Sequence, residues 1–395
     1  MARIGIYGGT FNPPHIGHIR AADCALSRLA LDKLLLIPDR IAPHKAMPAG
    51  TPNPNQRLNM VRIGAESIHD SRVEVTDMEL HREGPSYTYQ TVEQLRSLYP
   101  GDEFYLLMGT DMFLSFQNWK NAEQIWNAVT LAVFCRGERG EAEKILQHKA
   151  YMERLGARVE LVDNPVVDIS STQLRRMLVF RCADPFLPAG VAEYIRENRL
   201  YETAEDYSNL PMDRLESVVT SLINPNRVAH VFGCRNTAVA LAKCWGADET
   251  DAARAGLLHD ITKALDGELQ LTLCREYGIV LDAFFTKNPK TLHALTGALV
   301  AKRIFGENEA VVSAIRSHTT GKANMNTLEK IIYVADYMEP NRDFPGVDKL
   351  RQLAFSDLDA ALRLGLTMTL ELLKKQGSEI SPESREALEF LNKSL

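Results

Sequence analysis

The chain has 395 residues, more than one hydrophobic core usually organises, so two or three domains are expected. Its 45% hydrophobic and 24% charged residues exclude the disordered and fibrous classes. The formal net charge of −6 excludes a protein built to coat nucleic acid, because phosphate backbones are held by clustered Lys and Arg; small basic clefts for single phosphates stay compatible with it.

The opening residues lack a long apolar core with a small-residue cleavage site, and no run is long enough to span a bilayer, so a cytoplasmic protein without a membrane partner is expected. Six cysteines, Cys24, Cys135, Cys182, Cys234, Cys244 and Cys274, include no Cys-x-x-Cys pair. That distribution suits reduced thiols, and leaves His and carboxylates to hold any metal.

Up to about residue 201, apolar runs at 3–7, 33–37, 104–108 and 130–134 alternate with amphipathic stretches such as 16–29 and 89–98. Strands apolar at nearly every position are buried on both faces, which predicts a doubly wound α/β domain with a parallel sheet. The polar stretch 202–209 reads as a linker. Beyond it, helical patterns follow one another at 212–222, 228–244, 251–265, 292–305, 329–337 and 358–374, so residues 210–395 are expected to form an all-α domain. Asn224-Pro225 and Ser381-Pro382 look like helix starts, a capping side chain preceding a proline that fits the first turn. No internal repeat is evident, so the halves are different domains.

In the first half, Gly8, Gly9, Thr10 and Phe11 follow the first strand, where open α/β sheets place ligands. His15 and His18 share one face of the ensuing helix, and their donors face an anion already favoured by the helix dipole. A second string, Asp168-Ile169-Ser170-Ser171-Thr172-Gln173-Leu174-Arg175-Arg176, sets hydroxyls at a helix start and a guanidinium a short turn later, a second anion site. His69, His81 and His148 have no companion ligands and receive no role, and the charged run 136–144 reads as the exposed end and first turns of a helix.

These strings resemble the nucleotidyltransferases with a His-x-Gly-His signature, and within them the bacterial nicotinate-nucleotide adenylyltransferases; Pro43-His44-Lys45, Pro85-Ser86-Tyr87-Thr88, Gly109-Thr110-Asp111, Trp119 and Asn198-Arg199-Leu200-Tyr201 add to the likeness over residues 1–201. Class I aminoacyl-tRNA synthetases also use His-Ile-Gly-His, but a Lys-Met-Ser-Lys-Ser loop is missing here. The resemblance implies attack by the phosphate of nicotinate mononucleotide on the α-phosphorus of ATP, giving deamido-NAD and pyrophosphate with Mg²⁺ on the phosphates. It implies His18 at the α-phosphate, His15, Lys45 and Arg175 at the polyphosphate, and Ser171 with Thr172 in hydroxyl and helix-end contacts. Lys45 also belongs to the implied mononucleotide site, where Trp119 stacks on the pyridine ring, Tyr87 and Thr88 frame it, and Asp111 sits at the ribose or phosphate edge. Nicotinamide mononucleotide is the alternative acceptor.

In the helical half, His230, His259, Asp260, His293, His318 and Asp336 each lie in or beside an apolar helical stretch. Imidazole and carboxylate without thiolate favour a hydrolytic centre of iron, manganese or zinc, with Asp260 as a bridge. The order His, His-Asp, His, His, Asp resembles the HD-domain metal phosphohydrolases, especially the bacterial family that splits diadenosine tetraphosphate into two ADP. The likeness includes Gly256-Leu257-Leu258-His259-Asp260, Lys263, His293-Ala294, Ile315-Arg316-Ser317-His318-Thr319-Thr320-Gly321 and Ala335-Asp336-Tyr337-Met338-Glu339-Pro340-Asn341-Arg342. It implies a binuclear iron centre that assists attack of water on a bridging phosphate, with Asp260 and Lys263 in the catalytic set and Lys263, Arg316 and Arg342 as phosphate clamps. Hydrolysis of another nucleotide, or a nucleotide-sensing module without turnover, are the alternatives for this half. Symmetric homo-oligomers are common for chains of this size.

Overall fold

The computed structural model describes residues 1–43, 46–135, 141–163 and 169–393, which divide into two units, Met1–Ala204 and Glu205–Leu395. In the first unit the described strands are β1 (Arg3–Gly9), β2 (Lys33–Pro38), β3 (Val73–Val75), β4 (Glu103–Gly109), β5 (Thr130–Cys135) and β6 (Arg158–Asp163). They pair in parallel in the order β3-β2-β1-β4-β5-β6. The helices are α1 (Ile16–Arg28), α2 (Pro54–Glu66), α3 (Thr88–Leu98), α4 (Thr110–Leu114), α5 (Ala122–Trp126), α6 (Glu141–Arg154), α7 (Ser171–Val179) and α8 (Val191–Glu197).

The continuous apolar runs arise because the sheet is buried on both faces. Along β4, Phe104, Leu106 and Met108 enter one core cluster while Tyr105 and Leu107 enter the other. Strands β3 and β6 escape the apolar pattern since they lie at the edges: β6 buries only Val159 and Val162, and β3 has three residues. The order of winding reverses between β1 and β4, the place where ligands enter such sheets at the carboxyl ends of the strands.

Beneath that opening lies a buried ion pair. Arg57 of α2, 1% exposed, donates to the carbonyls of Thr10, Asp39 and Arg40 and meets the Asp39 carboxylate at 3.0 Å. Thr10 donates its hydroxyl to the other Asp39 oxygen at 2.7 Å. One guanidinium thus ties the segment after β1 to the segment after β2.

The second unit is helical: α9 (Met212–Leu222), α10 (Val228–Trp245), α11 (Glu249–Leu258), α12 (Gly267–Glu276), α13 (Ala283–Lys287), α14 (Leu292–Arg303), α15 (Glu309–Ser317), α16 (Thr327–Met338), α17 (Val347–Ala354), α18 (Leu358–Lys375) and α19 (Pro382–Lys393). Helix α10 packs on α11 and α16, and α11 also meets α15. Gly256 permits the first approach, since a Cβ there would stand 2.7 Å from the Cα of Arg235. The pattern over 251–265 predicts a helix to 265, whereas α11 stops at Leu258. Its continuation tightens into turns in which Ile261, Lys263 and Leu265 donate three residues back, to Leu258, Asp260 and Thr262. This change of pitch frees the His259-Asp260 pair from a helical repeat.

Replacing Arg57 with Met should leave Asp39 buried without its cation and lower the unfolding free energy of the first unit by about 3–5 kcal/mol. Urea melts followed through Trp119 and Trp126 fluorescence check it; an unmoved midpoint contradicts it.

Candidate active sites

In the first unit the chain leaves β1 at Gly9 and enters α1 at Ile16, with His15 as N-cap residue. The His15 main-chain N–H donates to Nδ1 of His18 at 3.1 Å. A neutral His18 therefore carries its proton on Nε2, as a donor. The two imidazoles lie 3.7 Å apart between centroids, and His18 sits edge-on to Phe11 at 5.0 Å. Helix α7 starts behind Ser170, whose hydroxyl accepts from the Gln173 N–H at 3.2 Å.

The structure brings the two sequence strings together. Arg175 donates to the Asn12 carbonyl at 2.8 Å and to the Thr172 hydroxyl at 3.1 Å, while Ser171 donates to the Pro13 carbonyl at 3.1 Å. Burial pulls the Arg175 guanidinium below its ordinary value. Two helix N-termini, two imidazoles and a guanidinium consequently converge on the turn after β1, an arrangement suited to a polyphosphate.

Lys45, His44 and Asp168 lie outside the described residues, as does the charged stretch 136–140. Asp111 is exposed at the start of α4, directly after β4 and thus at the same sheet edge as Gly9. Thr88 opens α3, with half-buried Tyr87 as its cap residue and the Lys120 ammonium 4.2 Å from the Tyr87 ring centroid. Trp119 is half-buried against the core, 5.1 Å from Phe116 between ring centroids. Arg57 and Asp39 escape sequence reading because nothing local marks an arginine as buried. His148 packs edge-on to Phe113 at 4.8 Å, in less polar surroundings than its sequence neighbours suggest.

In the second unit all six predicted ligands meet. His230 lies on α10, His259 and Asp260 at the end of α11, His293 on α14, His318 at the end of α15 and Asp336 on α16. The two oxygens of Asp260, a residue only 2% exposed, face different partners. Oδ2 is 3.6 Å from His230 Nε2 and 3.4 Å from His259 Nε2, and Oδ1 is 3.5 Å from His293 Nε2 and 3.7 Å from His318 Nε2. Asp336 Oδ1 joins the first group, 3.2 Å from His230 and 3.8 Å from His259. Three trios from this set have ligand atoms within 4.8 Å of one another.

These residues fit a metal. Asp260 Oδ1 is buried without a hydrogen-bond partner, and the imidazole Nε2 atoms of His293 and His318 face it. Burial, reinforced by Lys263, pushes His293 down to about 3, so its ring is neutral and able to bind a cation at neutral pH. Burial alone would raise Asp260, but His259, His230 and His318 outweigh it and hold the carboxyl well below the usual range, so it stays ionised.

Lys263 lies 3.0 Å from His293 Nε2, and Arg342 donates to Asp336 Oδ1 at 2.7 Å. Both line a cavity of about 1000 Å³ that opens from His318 and Asp336 past Tyr337 and Phe344. Arg316 is turned elsewhere: it pairs with Glu383 at 2.8 Å and lies over the Phe285 ring. Two further residues belong to the cluster. Arg227, one turn before His230, donates to Asp260 Oδ2, and Glu339 lies 3.1 Å from His230 Nδ1. The spacing of Arg227 from His230 was a readable signal for the first; Glu339 stands within a string the resemblance quotes but carries no metal-ligand pattern.

Residues 6–177 match the cytidylyltransferase-like family and residues 227–341 the HD domain family. A probable nicotinate-nucleotide adenylyltransferase of Shewanella pealeana is 38% identical over 211 residues, covering 50% of this chain and 95% of that protein. A symmetrical bis(5'-nucleosyl)-tetraphosphatase of Halalkalibacterium halodurans is 42% identical over 163 residues, covering 41% of this chain and 87% of that protein. A solved structure of a predicted HD superfamily hydrolase involved in NAD metabolism from Clostridium acetobutylicum is 37% identical, covering 47% of this chain and 99% of that one, with a TM-score of 0.46. The chain belongs through its first half to the nicotinate-nucleotide adenylyltransferase family of nucleotidyltransferases, and through its second to the HD-domain phosphohydrolases that include the symmetrical bis(5'-nucleosyl)-tetraphosphatases.

Proposed function

We propose that the first unit transfers the adenylyl group of ATP to nicotinate mononucleotide, forming deamido-NAD and pyrophosphate, and that the second hydrolyses diadenosine tetraphosphate to two ADP. For the first unit the reading is carried by the docking of Ser171 and Arg175 on the Asn12 and Pro13 carbonyls, beside His18. A phosphate oxygen of the mononucleotide forms the new bond to the α-phosphorus, and the bond from that phosphorus to the bridging oxygen breaks as pyrophosphate leaves. His18 donates from Nε2 to the α-phosphate oxygens where charge accumulates, and His15 and Arg175 hold the departing phosphates. Lys45 joins them, Thr10 and Phe11 complete the turn, and Thr172 steadies the guanidinium. Trp119, Tyr87, Thr88 and Asp111 receive the mononucleotide. Mg²⁺, when bound to the phosphates, neutralises part of their charge.

For the second unit the carrying observation is the division of four imidazoles between the two oxygens of Asp260. Two divalent ions, iron or alternatively manganese or zinc, fit that division, and when bound they polarise a phosphate and acidify water. Lys263 and Arg342 face the cavity as cations for the flanking phosphates, and Tyr337 with Phe344 offers an aromatic wall for a base.

His18→Ala should lower adenylyl transfer about 10²–10³-fold in kcat, with the urea midpoint unchanged. Wild-type turnover would remove His18 from the reaction. Offered nicotinate and nicotinamide mononucleotides separately with ATP, the protein should turn over the acid faster; a preference for the amide would overturn the choice of acceptor. Asp260→Ala should lose both bound ions by elemental analysis and abolish release of ADP from diadenosine tetraphosphate, while ATP with AMP as products of the wild type would refute symmetrical cleavage. Metal binding without hydrolysis of any nucleotide would point to a sensor.

A further inference from the structure

Each of the four clustered histidines has its Nδ1 against an oxygen that can only accept. For His259, His293 and His318 it is the main-chain carbonyl three residues earlier, at 2.8, 2.9 and 2.7 Å from Gly256, Lys290 and Ile315. His230 differs, because its Nδ1 faces Glu339 Oε1 at 3.1 Å. Glu339 is 1% exposed, and its Oε2 accepts from the Asn341 main-chain N–H and side-chain amide, both at 2.8 Å. Room for this carboxylate comes from Gly233, one turn past His230 on α10: a Cβ there would stand 2.4 Å from Glu339 Oε2.

We infer that Glu339 is a positioning residue that sets the affinity of the ion on the His230 side of the cluster separately from the ion on the His293 side. The inference rests on the two-ion reading of Asp260. A carboxylate behind an imidazole fixes the proton on Nδ1, turns the Nε2 lone pair inward and makes the ring a stronger base, and it brings a full negative charge where a carbonyl brings a dipole. That charge is needed on this side, where Arg342 reaches Asp336 at 2.7 Å and approaches Glu339 itself at 3.9 Å. The other three histidines are oriented by their own helical turns, so no side-chain change can reproduce the effect there.

The test is equilibrium titration of the metal-free full-length protein with Mn²⁺ by calorimetry, beside the thermal midpoint of the metal-free form. Wild type should bind two ions. Glu339→Ala should weaken one site about 10–100-fold and leave the other unchanged. Glu339→Gln, which keeps an acceptor for Nδ1 but removes the charge, should recover only part of the loss and serves as the folded comparison should the alanine variant fail to fold. Gly233→Ala should resemble Glu339→Ala, since its methyl displaces the carboxylate. Two wild-type affinities in Glu339→Ala, or equal weakening of both sites with a lowered midpoint, would overturn the inference. A wild type that binds no Mn²⁺ would instead overturn the two-ion reading beneath it.

Discussion

A charge removed from water has to be met by other charges and dipoles, and each unit is arranged round one such residue. In the first it is Arg57, whose guanidinium spends four contacts on the segments after β1 and β2. In the second it is Asp260, whose oxygens face four imidazoles. The first ties the turn after β1 to the segment after β2, and the second gathers imidazoles from four helices, α10, α11, α14 and α15.

The two sites use the ends of secondary structure in opposite ways. The first gathers helix N-termini, α1 and α7, whose N–H groups and positive dipole ends suit phosphate. The second places His259 and His318 just past the C-terminal ends of α11 and α15, where their Nδ1 atoms meet main-chain carbonyls of the last helical turn. Helix starts thus face the first candidate site, and main-chain carbonyls near helix ends orient imidazoles in the second. The family matches respect this division, since one ends at residue 177 and the other begins at residue 227, on either side of the boundary between the units at 204 and 205.

Electrostatics in the helical cluster also explains why its cations sit where they do. Arg227, Lys263 and Arg342 surround two carboxylates and four rings, and each reaches a carboxylate oxygen on a ligand residue. Through these contacts the three cations balance the buried charges of Asp260 and Asp336. Arg316, by contrast, is committed to Glu383, and the Thr320 hydroxyl donates to the same carboxylate at 2.7 Å.

Much of this protein was legible in its sequence. Strands buried on both faces announce themselves by unbroken apolar runs, as β1, β2, β4 and β5 do, whereas β3 and β6 at the sheet edges have no such pattern to read. Residue type and order singled out His15, His18, Ser171 and Arg175, and the six His and Asp of the helical half, as candidates, and folding brings each set together. Tertiary structure alone decided the rest. The seat of Glu339 beside Gly233, the burial of Arg57 and the capture of Arg316 by Glu383 all depend on partners distant in the chain. Local sequence encodes periodicity and donor chemistry; which buried charge meets which is settled only when packing brings separate segments within a few ångströms.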